Sequence, residues 1–289
     1  MRSLLAFITL SILVACNPSP EVSKGSSSNK SINQEAPFIW GNKTFPKSVH
    51  ISSTFSNAEL VNITNMGTAW KTAVSDKKNF FSFTTGNNNY NINSTDDIMG
   101  IYKVTDWPEE ITDDALAITQ LFGLRYNVGD VDEYVKIVEA DILVNYKPGI
   151  YGFTFDTADS GDGFDLRTVI LHEMGHFIGL QHIPDYDHVP NEESDLTREE
   201  YKATSVMYPS ISSLEAKRVP MTKDINALVS KYNISMSLLA SSIVTYDRYQ
   251  PKNNDPGKNI KILIELMPNG ECLHKENGAV IRRHHVKLK

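Results

Sequence analysis

Residues 172 to 182 read HEMGHFIGLQH and hold the strongest chemical signal in the chain. On a helix turning about 100° per residue, His172 and His176 stand one turn apart on one face, so two imidazoles can grip one metal ion. Glu173 sits beside them, where a base would meet a water held by the ion. A helix continuing through His182 would carry that residue roughly 15 Å along the axis from His172, facing elsewhere. The helix must therefore stop, and Gly179 offers the stop because glycine enters the left-handed conformation without a Cβ penalty. His182 can then swing back as third ligand. Three imidazoles with one open position describe a catalytic zinc site, at which bound water acquires a pKa near about 7. The approach FDLRTVIL is an apolar helical run with Asp165 placed as its N-cap.

Taken together, HExxHxxGxxH resembles the signature of the metzincin metalloproteases. SVMYP at 205 to 209 is similar to the methionine turn that this family carries beneath its zinc, and Met-Tyr-Pro resembles the matrixins in particular. The resemblance implies a zinc endopeptidase with His172, His176 and His182 on Zn²⁺, Glu173 as general base and Met207 as the floor. It places the wall of the pocket after the scissile bond at Tyr208, Pro209 and Ile211, suited to a medium-sized apolar side chain. In matrixins the fourth strand is an antiparallel edge that pairs with an extended substrate. By order that strand matches Leu116, Ala117, Ile118 and Thr119 here. Ile183-Pro184 departs from the family after the third His. Asp224 matches one of an acidic pair at the start of the C-terminal helix, while Lys223 replaces the other. No Pro-Arg-Cys-Gly segment of the kind that keeps animal matrixins latent is present, so any latency works otherwise.

The elements that must position these residues follow from pattern. A strand is expected at 47–55, a helix at 57–75 with Leu60, Ile63, Met66, Trp70 and Val74 at core spacing, and strands at 80–85, 97–104, 115–126 and 134–146. Residues 219–232 read as a further helix. The fold expected is α+β, a twisted five-stranded mixed sheet with an antiparallel edge strand, an active-site helix and a C-terminal helix. IKILIELM, two Asn-Gly turn signals and AVIRRHHVKL add a small β meander as an appendage. Residues 37–235 would be the catalytic domain and 236–289 a C-terminal extension.

Ahead of it, Met1 to Cys16 contains an apolar run too short to span a bilayer and reads as an export signal. Its end, Leu13-Val14-Ala15-Cys16, resembles the bacterial lipobox, which implies lipidation of Cys16 and anchorage to the outer membrane. Residues 17–36, rich in Ser, Asn and Pro, form a flexible tether. The net charge of −7 over 289 residues argues against a nucleic-acid partner. A monomer acting on a protein or peptide is expected, with the lipid anchor as its membrane contact. Asp156, Asp159, Asp162 and Asp165 recur at three-residue intervals and could ring a Ca²⁺, although a solvated turn is the preferred account. The competing function is a non-catalytic, zinc-stabilised surface lipoprotein that binds an envelope partner.

Overall fold

The computed structural model describes residues 36–41, 44–149, 153–154, 163–184, 196–213, 215–236, 249–252, 254–268 and 271–285. Cys16, the tether up to residue 35 and Asp156, Asp159 and Asp162 lie outside these. No helix among the described residues is long and apolar enough to cross a membrane.

In chain order the elements are β1 (Phe38–Ile39), β2 (Lys47–Ser52), α1 (Asn57–Ala73), β3 (Phe81–Gly86), β4 (Met99–Val104), β5 (Ala117–Tyr126) and β6 (Tyr134–Asn145). Then follow β7 (Phe153–Thr154), β8 (Phe164–Asp165), α2 (Leu166–Phe177), α3 (Arg198–Lys202), α4 (Thr222–Tyr232), β9 (Lys258–Leu266), β10 (Glu271–Glu276) and β11 (Ala279–His285). Helix α1 begins at a capping box, in which Ser56 and Glu59 satisfy each other's backbone N–H groups. It buries Ile63, Met66 and Trp70, as its spacing predicts. The indole of Trp70 donates to the carbonyl of Leu171 at 3.1 Å, and that of Trp40 donates to Phe177 at 2.6 Å. Both anchors fall on α2, the helix that carries HExxH.

The sheet runs β11-β10-β9-β5-β6-β4-β2-β3, with β1 beside β6 as a ninth strand among the described residues. β2, β3, β4 and β6 are mutually parallel, and β5 is antiparallel to β6, as expected. Two expectations are corrected. The sheet exceeds five strands, and β5 is no edge. Its outer side is taken by β9, antiparallel from Ala117↔Leu266 to Arg125↔Lys258. The C-terminal β segment is therefore a continuation of the main sheet rather than an appendage. The reason lies in β9 itself: Ile260, Ile262 and Ile264 join the main core while Leu263 packs with Tyr102, Ile118 and Leu143 on the other face. Apolar contacts on both faces seat β9 inside the sheet. Asn277 and Gly278, both at positive φ, turn β10 into β11 as the Asn-Gly signal predicts.

Asp141, on β6, is 2% exposed and accepts from the amide of Gly100 at 2.9 Å. Burial raises its carboxyl to about 8, with Glu139 and Asp96 adding to the rise and the Gly100 bond opposing it. In the unfolded chain the group ionises near about 3.9. Its contribution to stability is thus complete below that pH and is lost as pH climbs to about 8, at up to about 1.4 kcal/mol per unit. Asp141→Asn, uncharged throughout, is expected to gain stability over the wild type between pH 4 and 8 and to show no gain at pH 3. Urea unfolding of both chains across that range checks this. A constant difference would contradict it.

Candidate metal centre and catalytic site

Helix α2 starts where the sequence places it. The Asp165 side chain accepts from the amide of Arg167 at 3.0 Å, capping the first turn. The helix ends at Phe177, and Gly179 takes φ +88. Gly179 N–H donates to His176 at 2.7 Å and Leu180 N–H to Gly175 at 2.8 Å, closing the last turn in the manner of a glycine C-cap. The chain then reverses and brings His182 back over the helix.

The three imidazoles meet. Their Nε2 atoms are 3.1 Å apart between His172 and His176, and 3.0 Å from each of these to His182. His172 is fully buried, and burial lowers its pKa to about 4 against the Val206 carbonyl bond, so the ring is neutral. Its Nδ1 lies 2.7 Å from the carbonyl of Val206, and Nδ1 of His176 lies 2.9 Å from that of Leu180. A carbonyl only accepts, so in both rings Nδ1 carries the hydrogen, and a neutral ring then presents a lone pair at Nε2. Two lone pairs then face each other across 3.1 Å. His182 has at most one Nε2 proton to offer, which cannot satisfy both. A cation that accepts all three lone pairs resolves the repulsion, and the spacing is near the roughly 3.3 Å expected of nitrogens about 2.0–2.1 Å from one tetrahedral Zn²⁺. The donor set fits zinc.

Glu173 is wholly buried, and that burial raises its carboxyl to about 8 while a bond from Thr119 opposes the rise. Thr119 Oγ1 lies 2.6 Å from Glu173 Oε2 and 3.0 Å from the Glu173 carbonyl. Oε1 has no protein partner. Thr119, expected to bind substrate, thus orients the candidate base through its side chain.

Beneath the imidazoles, Met207 is 2% exposed and packs so closely on Gly175 that a Cβ there would lie 2.3 Å from its sulfur. The carbonyl of Met207 accepts from Ile183 N–H at 3.1 Å, tying the chain after the third His to the methionine turn. Asp224 holds that turn from the other side, accepting from the Ser205 hydroxyl, from Val206 N–H at 2.9 Å and from Met221 N–H at 2.8 Å. Replacing Asp224 by Ala leaves these donors buried and unmatched. A loss of about 2–4 kcal/mol is expected, together with weaker zinc binding through Val206 and His172. Denaturant unfolding of the zinc-free chains measures the first effect, and zinc titration the second. Wild-type values for both would refute the role.

Tyr208 and Ile211 are buried, and Ile211 clusters with Leu116, Ala117, Phe164, Val169 and Leu266. Of the three expected wall residues, Ile211 packs against the head of β5. Leu266, from β9, stands among them. The open edge expected at Leu116 to Thr119 is not found: Leu116 N–H donates to the carbonyl of Leu266 at 2.8 Å, and β9 continues the ladder.

No known protein family and no curated protein matches the sequence. Among solved structures the chain is similar to high choriolytic enzyme 1, a hatching enzyme zinc-protease from the medaka fish Oryzias latipes. Identity is 15%, over 68% of this chain and 90% of that one, with a TM-score of 0.29. So distant a likeness carries no argument, and the site rests on its own geometry.

Two groups here were missed by the sequence reading. His274 and Cys272 on β10 are both fully buried. Nε2 of His274 lies 2.9 Å from Nδ1 of His182, and Sγ of Cys272 lies 3.6 Å from Nε2 of His182. His182, Cys272 and His274 thus make a second group of close metal-ligating atoms that shares His182 with the first.

Proposed function

We propose that the chain is a zinc-dependent endopeptidase of matrixin-like type, exported and anchored to the outer membrane through Cys16. The observation that carries the reading is the convergence of three buried imidazole lone pairs one residue from a buried carboxyl. A zinc ion bound there supplies a Lewis acid for a peptide carbonyl. His172, His176 and His182 hold it, with ring orientations fixed by Val206, Leu180 and His274. Glu173, steered by Thr119, takes the proton of the attacking water and returns it to the leaving amine. The wall built by Tyr208, Pro209 and Ile211 receives a medium-sized apolar side chain after the scissile bond.

Because Cys272 lies against His182, the test uses both the full-length chain and its Cys272→Ala variant. Each is incubated with a mixed peptide library, with and without a zinc chelator, and products are read by mass spectrometry. Internal cleavage before apolar residues that the chelator abolishes is the expected result. Folded, zinc-loaded chains that never cut would reject the enzyme and leave the binding lipoprotein.

A further inference from the structure

The three imidazoles are not anchored alike. Nδ1 of His172 and Nδ1 of His176 each meet a backbone carbonyl, of Val206 and Leu180, at 2.7 and 2.9 Å. A carbonyl only accepts, so a neutral ring in either place has one tautomer open to it. Nδ1 of His182 meets Nε2 of His274 instead, at 2.9 Å. An imidazole nitrogen accepts or donates according to where its own hydrogen sits, so this bond admits two arrangements. If His274 donates from Nε2, the hydrogen of a neutral His182 is on Nε2, aimed at His172 and His176 3.0 Å away, and the ring has no lone pair for a metal. If His274 accepts, His182 carries its hydrogen on Nδ1 and turns a lone pair to the centre. The state of His274 thus decides whether His182 is a ligand.

The fold delivers His274 to that ring from 92 residues along the chain. Thr119, Ile264 and His274 stand opposite one another across β5, β9 and β10, so their side chains share a face. Thr119 reaches Glu173 on α2, which identifies that face as the one turned to the site. Ion pairs from the next two residues hold the register: Lys275 with Glu265 of β9 at 2.5 Å, and Glu276 with Arg125 of β5 at 2.5 Å. His274 is itself fully buried. Beside it the pairing of β10 with β11 steps past Ile281, and bulges of this kind re-aim side chains next to active sites.

We infer that His274 is a positioning residue of the metal centre, held as the Nδ1–H tautomer so that its Nε2 accepts from His182 and leaves the Nε2 lone pair of His182 to the metal. The inference rests on the metal-site reading above. It makes the C-terminal strands part of the centre, although they lie outside the span 37–235 expected to carry it. Metal affinity depends on β10 being docked, and by linkage a bound metal holds β10 in place.

The test is the zinc affinity of the full-length chain, measured by competition with a chromogenic chelator, for the wild type, His274→Gln, His274→Leu and Leu273→Ala. His274→Leu has no acceptor and is expected to bind zinc about 10–100-fold more weakly, the range for losing such a partner. His274→Gln places a carboxamide oxygen at the ring and should recover most of that loss. Leu273, adjacent on β10 and facing the other way, is the packing control: its alanine variant should unfold at lower denaturant and bind zinc as the wild type does. Nitrogen-15 NMR of the zinc-loaded wild type reads the tautomer directly, with the hydrogen of His274 expected on Nδ1, and decides the matter should the leucine variant fail to fold. Wild-type affinity in His274→Leu, an equal loss in His274→Gln or Leu273→Ala, or a hydrogen on Nε2 of His274 overturns the inference and leaves the three-histidine site standing. A wild type that takes up no zinc overturns both.

Discussion

Glu173→Gln, made in the Cys272→Ala background, is expected to keep one zinc and lose peptide hydrolysis by about 10²–10⁴-fold, the range spanned by a positioned general base. The amide fills the same buried volume and can still accept the Thr119 hydroxyl that now lies 2.6 Å from Oε2. It carries no charge into a site that, in the zinc-free chain, already disfavours one, since burial there raises the Glu173 carboxyl to about 8. Folding should therefore be unchanged or slightly improved, and the loss should fall on the rate. Parallel measurement of zinc content, unfolding midpoint and initial rate separates these effects. A variant cutting at the parent rate would remove Glu173 from the mechanism.

Gly179→Ala should produce the second large effect. At φ +88 an alanine is strained, and its Cβ would lie 2.7 Å from the carbonyl oxygen of Phe38. That oxygen is held by Lys231 Nζ at 2.7 Å, and Tyr232, whose hydroxyl binds the carbonyl of Ile178, closes the other side. The turn cannot relax without moving β1 or α4. Strain of about 1–2 kcal/mol plus a backbone collision predicts a loss of about 2–4 kcal/mol, with displacement of His182 lowering zinc affinity at least tenfold. Gly129→Ala is the control: φ is +84, but nothing lies within 4 Å of the added Cβ. It should cost only about 1 kcal/mol and leave zinc binding alone. Equal effects at the two positions would show that the tight fit at Gly179 is unimportant.

Much of the metal centre was legible because its geometry is local. Five positions of HExxHxxGxxH lie within a helix and one turn, and 3.6-residue periodicity with a glycine stop is enough to bring His172, His176 and His182 together. Asp165 as cap was readable for the same reason, whereas Met207 as floor came only from the resemblance of SVMYP to a methionine turn. The partners of the ring Nδ1 atoms were not, because Val206 and His274 come from distant segments. The placement of β9 was missed although its pattern held the signal. In KILIEL, Ile262, Ile264 and Leu266 make one apolar face and Leu263 sits between Lys261 and Glu265 on the other, so the strand has apolar surface to bury on both sides. An open β5 edge was a vacancy the expected sheet offered. Cys272 and His274, two apart in the next strand, share a face by the period of a strand, but nothing local says that the face is turned toward His182. That information lies in the register of three strands.

The claim on which the whole account stands is that the three imidazoles converge because they hold a metal. Its most direct measurement is the zinc content of the full-length chain after exhaustive dialysis, beside chains carrying His172→Ala, His176→Ala or His182→Ala. One equivalent in the wild type and a sharp fall in each variant is the predicted result. A wild type that neither retains zinc nor takes it up from solution, or variants that keep a full equivalent, would contradict the account at its base.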